Sequence, residues 1–165
     1  MSGFMFGGSA LTLDVGVINA TGGDVTEGMV LAIELDSATA SENDGYRAQK
    51  PVLLSANPEM VVTAHGAALV PAGQTIADGD PLIVRVVGPC KVRVDANSQN
   101  VAIGDCLMIA NGSTDLITIA SQPDLISGSG AVADVFEILK TKAIAREAAT
   151  ADDTLIDGWM KGLPL

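Results

Sequence analysis

The only histidine of the chain, His65, is the first residue to consider for chemistry. No serine or cysteine near it stands in a recognisable nucleophile turn, and nucleophilic catalysis needs a base beside the nucleophile. Together with Cys90 and Cys106, His65 could supply three zinc ligands, but the close Cys-x-x-Cys and His-x-x-x-His spacings of zinc sites are missing. The sequence therefore predicts neither a catalytic triad nor a zinc site, and we expect His65 to be a structural residue or a surface group.

Pairs of carboxylates are the second candidate, because two acidic groups can bind calcium or cleave a glycosidic bond. Asp78 and Asp80 flank a glycine, and Asp152-Asp153 is an adjacent pair; both arrangements are typical of exposed turns. The segment from Asp95 begins like a calcium loop, but Asn100 replaces the glycine that such a loop requires. These patterns favour a protein that is not an enzyme and that has no metal, cofactor or small-molecule substrate.

Composition and charge narrow the class of protein further. The 165 residues are 48% hydrophobic and only 18% charged, which is typical of a folded domain that associates readily. Twenty acidic residues against nine basic ones give a net charge of −11, and the only basic cluster is Arg85, Lys91 and Arg93. Because nucleic-acid binding needs a clustered basic face, we expect no nucleic-acid partner.

The apolar segments also bear on where the protein works. All of them are far shorter than the ~20 residues that cross a bilayer, so we expect no membrane partner. The first residues lack the basic start and the long apolar centre of a secretory signal, which predicts a protein made and kept inside a cell. In that compartment Cys90 and Cys106 are expected to be free, buried thiols.

Short β-rich segments alternate with turns that contain glycine, aspartate or asparagine, which predicts a mainly β fold, either a small β-barrel or a β-sandwich-like domain. In the first segment Leu11, Leu13, Val15 and Val17 alternate with other positions, as in a strand with one buried face. The further predicted strands are Met29–Leu35, Val52–Leu54, Met60–Thr63, Leu82–Val87, Lys91–Asp95, Cys106–Ala110, Leu116–Ala120 and Thr154–Met160.

Three of these turns predict hairpins. At Gly88-Pro89 we expect a three-residue loop, because Arg85 then shares the solvated face with Lys91 and Arg93. Asn111-Gly112 predicts a second hairpin, and residues 151–153 predict a third, at the C-terminus.

Two segments are less regular. Residues 131–149 fit helical spacing as well as strand alternation, and Ala143–Ala149 favours a helix by propensity. We predict a strand there, with one short helix as the alternative. The polar segment Ser37–Lys50 predicts an exposed loop.

A pattern of the form apolar-x-x-Gly-x-x-Leu occurs three times, at Val25–Leu31, Ile76–Leu82 and Val101–Leu107. We predict that its glycine supplies the positive φ of a tight turn, and that its leucine is the first buried residue of the following strand. The irregular spacing of the three copies argues against a solenoid. The pattern is therefore interpreted as three strand starts of a barrel or sandwich.

Two segments near the C-terminus resemble the capsid decoration proteins, or cement proteins, of tailed bacteriophages. The first is Val101–Ala110, which begins a strand with Val-x-x-Gly-Asp-x-Leu, and the second is Ala143–Thr150, which contains Ala-x-Glu-Ala-Ala. The resemblance covers the C-terminal part of the chain and the earlier Ile76–Leu82 pattern. The section Ser37–Ala72 has no counterpart in that family.

The resemblance implies a mainly β domain, usually trimeric, that docks on the outside of the mature phage head and stabilises it by bridging capsid subunits. It implies the major capsid protein and further copies of this chain as partners, in a virion assembled in the host cytoplasm. A head-fibre protein, or a receptor- or carbohydrate-binding module of a virion, is the alternative. A small hydrolase is a third possibility, which the missing nucleophile–base pair disfavours.

The residues expected at the interface with these partners are aromatic, apolar or basic. Phe4, Met5 and Phe6 lie between glycines in a segment without charged side chains, which predicts a flexible arm over residues 1–9 that attaches to the capsid or to a neighbouring protomer. Residues 10–165 are expected to form a single mainly β domain. Tyr46, Arg47 and Trp159 complete the predicted interface.

Overall fold

The computed structural model describes residues 11–34, 46–51, 64–95, 100–109, 113–118, 141–150 and 155–162. Within these ranges the regular structure is β-strand and no helix occurs, so the predicted mainly β fold is confirmed and no helix of the described part could span a membrane. The strands are β1 Leu13–Asn19, β2 Val30–Glu34, β3 Tyr46–Gln49, β4 Ala64–Ala68, β5 Pro81–Arg93, β6 Cys106–Ile109, β7 Leu116–Thr118, β8 Ala143–Ala145 and β9 Leu155–Lys161.

Five strands close into a barrel in the order β1-β3-β2-β4-β5, with β5 pairing back onto β1. The pair β1–β3 is parallel, and the other four pairs are antiparallel. Alternate residues of these strands, such as Val17, Ile33 and Val84, point inward and are buried. Burial of this apolar surface is the main force that holds the barrel together.

The remaining four strands continue the same sheet beyond β5, in the order β5-β9-β8-β6-β7. A parallel bridge between Val94 and Leu116 joins the far edge at β7 to the residue after β5, and the Asp95 N–H donates to the Leu116 carbonyl at 2.8 Å. We call this part of the sheet the C-terminal ring. Its core contains Ile156 and Met160 of β9, both almost completely buried.

Strand β5 belongs to both units, which overturns the hairpin predicted at Gly88-Pro89. Pro81–Val87 pairs with β1, and Val87–Arg93 pairs with β9, along thirteen consecutive residues. Gly88 has a φ of 116°, which L side chains rarely adopt, and it bends the strand from the barrel into the ring. Glycine and proline therefore bend one strand here and do not end it.

Backbone hydrogen bonds and one close glycine contact join the barrel to the ring. The His65 N–H donates to the Gly162 carbonyl at 2.7 Å, and the Gly162 N–H donates to the Val86 carbonyl at 2.8 Å. A Cβ on Gly162 would overlap the His65 carbonyl, so only glycine allows this approach. The Arg93 N–H donates to the Gly28 carbonyl at 2.8 Å on another side. The two units are thus fixed against each other through main-chain atoms.

The three repeated glycines do occupy positive-φ turns, as predicted. Gly28, Gly79 and Gly104 have φ values of 74°, 88° and 94°, and each turn leads into a strand. Leu82 and Leu107 are the first buried strand residues after their turns. In the first copy Val30 is already buried ahead of the leucine, because both residues pack into core clusters.

The described residues correct two sequence predictions, at Tyr46–Gln49 and at Leu11 with Leu13, and they test two others, at His65 and Ala143–Ala145. Tyr46–Gln49 is a strand inside the predicted loop Ser37–Lys50, since Ala48 packs into the barrel core. His65 is buried within β4, so of the two roles expected for it the structure shows a structural residue and not a surface group. Leu11 and Leu13 are exposed to 79% and 41%, because a register shift follows Leu13 and Leu11 precedes the strand. Ala143–Ala145 is strand, as predicted, although its propensity favours a helix.

Two of the predicted hairpins can be compared with the strand pairing, whereas several other predictions concern residues that the structure does not describe. The antiparallel pairs β6–β7 and β8–β9 agree with the second and third predicted hairpins. The strands predicted at Val52–Leu54 and Met60–Thr63, the helical alternative over 131–140, and the arm over residues 1–9 lie outside the described residues.

The bend in β5 generates the first prediction. In Gly88→Ala the new Cβ would lie 2.9 Å from Thr12 Cγ2 and 3.1 Å from the Leu11 carbonyl oxygen, at an unfavourable φ. We expect a loss of about 1–3 kcal/mol in the free energy of unfolding, measured by urea denaturation. Gly23→Ala, where a Cβ meets no atom within 4 Å, is the control and should change stability little. Equal effects of the two substitutions would contradict the role of Gly88.

Candidate functional site

The three basic side chains of β5 share its outward face, as predicted, and all three are ion-paired. The Arg85 Nε and Nη2 atoms each donate to the Asp14 carboxylate at 2.8 Å, which lowers the pKa of Asp14 and raises that of Arg85. Lys91 Nζ lies 3.0 Å from Asp157 Oδ1, and this hydrogen bond raises the pKa of Lys91. Arg93 Nε lies 3.0 Å from Asp115 Oδ1. These carboxylates neutralise the basic cluster.

The half-buried Cys90 and the buried Lys142 have shifted pKa values, and desolvation is the largest cause of both shifts. Burial raises the pKa of the Cys90 thiol to about 12, so the thiol is protonated at neutral pH. That shift is opposite to the one that activates a catalytic cysteine. Burial lowers the pKa of Lys142, which is only 1% exposed, to about 8. Both cysteines are free, as predicted, but they are half-buried and not buried as expected.

Within the described ranges, no three His, Cys, Asp or Glu side chains cluster closely enough to hold a metal ion. The acidic residue Asp78, a member of one predicted pair, accepts a hydrogen bond from the Gly22 N–H at 2.9 Å. The amide of buried Asn19 donates to the Gly23 and Ile76 carbonyls at 2.9 and 3.0 Å. These polar side chains hold loops of the barrel in place.

An apolar depression of about 280 Å³ lies on the outside of the barrel, where β1 and β5 pair. At its floor Gly16 faces Ile83 across the two strands, and a Cβ on Gly16 would meet no atom within 4 Å. Ile83 is 54% exposed and Tyr46 is 51% exposed. We call this depression the barrel groove; Gly16, Ile18, Pro81 and Ile83 line it from the outward face of β1 and β5, and Tyr46, at the start of β3, also lines it.

A second apolar surface crosses four strands of the C-terminal ring. Trp159 of β9 pairs with Pro89 on one side and with Ile144 on the other, and Ile144 pairs with Cys106. Directly opposite residues of antiparallel strands share a face, so the four side chains form one outward row. All four are half-buried. We call this the outer row.

Charged side chains border the outer row on one side. Lys91 and Asp157, which are paired across β5 and β9, come next to Pro89 and Trp159 on the same face. Glu147 Oε2 accepts a hydrogen bond from the Asp157 N–H at 2.9 Å and lies 3.5 Å from Lys91 Nζ. An apolar centre with a charged rim is the composition typical of a protein–protein contact.

The predicted interface residues lie on different parts of the molecule. Tyr46 borders the barrel groove, and Arg47 follows it on β3, opposite Ile18. Trp159 lies in the outer row of the ring. Phe4, Met5 and Phe6 lie outside the described residues.

Sequence reasoning missed Ile18 and Ile83. Ile18 could have been identified from the sequence, because it is apolar and belongs to the outward-facing residues of β1, where a solvated strand face usually has polar side chains.

The two segments that resemble decoration proteins pack directly on each other. Val101 and Ala149 exchange two backbone hydrogen bonds of 2.9 Å, and the Gly104 N–H donates to the Ala145 carbonyl at 2.8 Å. The Lys142 N–H donates to the Leu107 carbonyl at 2.8 Å. Segments that are distant in the sequence therefore form one structural unit in the C-terminal ring.

Comparisons with known proteins give a likeness to a solved structure. No protein-family model matches the sequence, and the search of curated proteins finds no match. Among solved structures, the chain is similar to the head fiber gp8.5 N base in bacteriophage phi29, with a TM-score of 0.45 and 11% sequence identity. The likeness covers 94% of this chain and 98% of that chain.

The buried Lys142 generates the second prediction. Its pKa is about 8 in the folded protein and near 10.5 when unfolded, so folding disfavours its charge below pH 8, and stability increases as the pH rises from 8 to 10.5. Lys142→Met should therefore be more stable than the unchanged protein at pH 7, by about 2–3 kcal/mol.

Urea denaturation at several pH values measures this difference, which should shrink as the pH rises from 8 to 10.5. Lys161→Met, at an exposed position of β9, is the control and should change stability little at pH 7. A pH-independent difference for Lys142→Met would contradict the desolvation of Lys142.

Proposed function

We propose that this chain is a structural protein of a tailed-phage virion, which binds the outer surface of the capsid and stabilises the mature head by bridging subunits of the major capsid protein. The observation that carries the proposal is the direct packing of Val101–Leu107 on Lys142–Ala149. These segments bear the resemblance to decoration proteins, and a resemblance carried by one packed unit is stronger than two separate short matches.

The architecture suits a bracing role. In the barrel every strand is paired on both sides, so hardly any edge remains for uncontrolled strand addition. The outer row and the barrel groove then provide side-chain contacts on a rigid scaffold. A protein that transmits force between capsid subunits needs such rigidity, because a flexible link would yield under load.

The chemistry of the described side chains supports a non-enzymatic role. The pKa of Cys90 is raised to about 12, which disfavours the nucleophilic thiolate. His65 lies within the all-buried strand β4. Carboxylates that could act as acids or bases, such as Asp14 and Asp115, are paired with arginines. We include in the proposal that the chain has no cofactor, no small-molecule substrate and no nucleic-acid or membrane partner.

Self-association as a homotrimer belongs to the same proposal, because closed symmetric assembly is the common way to bury surplus apolar surface. A head-fibre or receptor-binding role would use the same fold but a different target. Incubation of purified protein with mature capsids that lack it, and separately with host cells, distinguishes the two. Co-sedimentation with capsids at a fixed ratio to the major capsid protein is expected, whereas binding to cells alone would favour the receptor-binding role.

The outer row generates the third prediction. Trp159→Ala removes the largest side chain of the row while leaving the buried side of β9 unchanged. We expect capsid affinity to fall by at least about tenfold, since a buried tryptophan often accounts for more than ~1.4 kcal/mol at an interface. Ile103→Ala, at an exposed turn outside the row, is the control.

Sedimentation of each variant with capsids measures the affinity, and circular dichroism checks the fold. Unchanged binding by folded Trp159→Ala would exclude the outer row as the capsid contact.

A further inference from the structure

The C-terminal ring repeats the strand pairing of the barrel. One central strand in each unit has two antiparallel neighbours, β2 with β3 and β4 in the barrel and β6 with β7 and β8 in the ring. Strand β5 pairs with β4 and β1, just as β9 pairs with β8 and with the second half of β5. Among the described residues, each unit also has a parallel pairing, β1 with β3 and Val94 with Leu116. The ring is therefore built like a second barrel, in which the second half of β5 takes the place of β1.

The strand registers show which residues of the two units are equivalent. For example, Leu31 and Leu107 occupy the same place, opposite β4 in the barrel and opposite β8 in the ring. Counting along the registers gives further equivalent core residues: Val17 and Val92, Leu82 and Ile156, Val86 and Met160. Each of them is buried in the core cluster of its own unit. Equivalent positions of the two units can therefore be compared for what covers them.

In the barrel, the turn at Gly28 is covered by the ring of the same chain. The Gly28 carbonyl accepts a hydrogen bond from the Arg93 N–H at 2.8 Å, and a Cβ on Gly28 would lie 2.5 Å from Leu155 Cδ1. Val30, just after the turn, is completely buried, and its N–H donates to the Thr114 carbonyl at 2.7 Å. We call Arg93, Thr114 and Leu155 the socket of the ring.

The equivalent turn of the ring, Ala102–Asp105, has no such cover among the described residues. Its tip, Ile103, is 72% exposed, and a Cβ on Gly104 would meet no atom within 4 Å. Cys106, which is equivalent to the buried Val30, is only half-buried. We call Ala102–Asp105 the ring turn. The element that joins the barrel to the ring thus occurs a second time, on the outside of the ring.

The barrel groove is the counterpart of the socket. The registers give three pairs of equivalent residues in the socket and the groove: Arg93 and Ile18, Thr114 and Tyr46, Leu155 and Pro81. One difference concerns the main chain, because Ile18 is in direct register with β3, whereas the segment from Gly28 to Val30 lies between the matching strands of the ring. The groove can therefore accept side chains but not an inserted strand.

The polarity of each turn matches one of these two surfaces. The barrel turn has Thr26 and Glu27 before its glycine, and the Arg93 Nη1 of the socket donates to Thr26 Oγ1 at 3.2 Å. The ring turn has Ala102 and Ile103 at the same two positions, and the groove is apolar. The polar turn thus meets a polar socket inside the chain, and the apolar turn has the polarity of the groove. This match, together with the internal contact, indicates what the groove binds.

We propose that the ring turn of one copy packs into the barrel groove of a second copy, at the place where the barrel turn meets the socket within one chain. The inference rests on the self-association in the proposed function and gives it a site. The contact is heterologous, since each copy supplies one turn and one groove, and a closed assembly satisfies both. Trp159 is equivalent to Arg85, which is bonded to Asp14 and not to the ring, so the capsid contact and the contact between copies use different side chains.

The test uses two variants that each remove one half of the contact. Ile103→Glu gives the ring turn the residue of the barrel turn, so the turn should still fold, but it places a charge against the apolar groove. Gly16→Leu fills the groove, where a new Cβ meets no atom within 4 Å. The matched controls are Gln74→Glu, which adds the same charge at an exposed position, and Gly23→Leu, which also has open space. Thermal denaturation checks that every variant is folded.

Analytical ultracentrifugation without capsids measures the assembly of each protein. We expect the full chain and both controls to associate into one species of defined mass, and Ile103→Glu and Gly16→Leu each to associate at least about tenfold more weakly. A mixture of these two variants should form a one-to-one complex, because one retains the groove and the other the turn. Residues 2–8 of the same chain are the competing occupant of the groove, and their deletion should leave assembly intact.

Several results would overturn the inference. These are a full chain that stays monomeric, a mixture of the two variants that does not associate, and a loss of assembly when residues 2–8 are deleted. If Ile103→Glu and Gly16→Leu assemble normally but no longer bind capsids, both surfaces belong to the capsid, and the proposed function survives while this inference fails. If assembly depends on the turn and the groove but the assembled protein does not bind capsids, the inference stands and the proposed function fails.

Discussion

The shared strand β5 is the constraint on which the rest of the structure depends. Its first half closes the barrel against β1, and its second half begins the C-terminal ring against β9. Gly88 makes this possible because it adopts a positive φ within the strand, and the Arg85 Nη1 donates to the Pro89 carbonyl at 2.6 Å across the bend. A side chain at Gly88 would strain the connection, and both units would lose their common member.

The barrel and the C-terminal ring share one structural arrangement, a pair of backbone hydrogen bonds just ahead of a glycine turn. In the barrel, Val25 and Ile76 exchange backbone hydrogen bonds just ahead of the turns at Gly28 and Gly79. In the ring, Val101 forms the same kind of bridge with Ala149, ahead of the turn at Gly104. The outer row lies on the ring and the groove on the barrel, so β5 fixes the relative position of the two candidate contact surfaces.

Much of this fold could be predicted from local patterns, and the failures share a physical cause. The positive-φ glycines and strands such as β6 and β9 follow from turn chemistry and alternation. The Gly88-Pro89 pair was misinterpreted because glycine and proline are typical both of a turn that ends a strand and of a bend within one. Only the long-range pairing of β5 with β1 and β9 distinguishes the two cases. Tyr46–Gln49 was missed because three of its four residues have polar side chains, and the strand is held in place by the buried Ala48 and by pairing with two neighbouring strands. The groove was missed because Gly16 has no side chain, and the open space above it does not show in the sequence.

The central proposal is that this chain is a permanent structural part of a virion. Mass spectrometry of purified virions from the phage that encodes the chain, after removal of loosely bound protein, tests the claim most directly. A structural role predicts the 16.8 kDa chain in intact particles, at a constant ratio to the major capsid protein across preparations. Its presence in the infected-cell lysate together with its absence from purified particles would contradict the account.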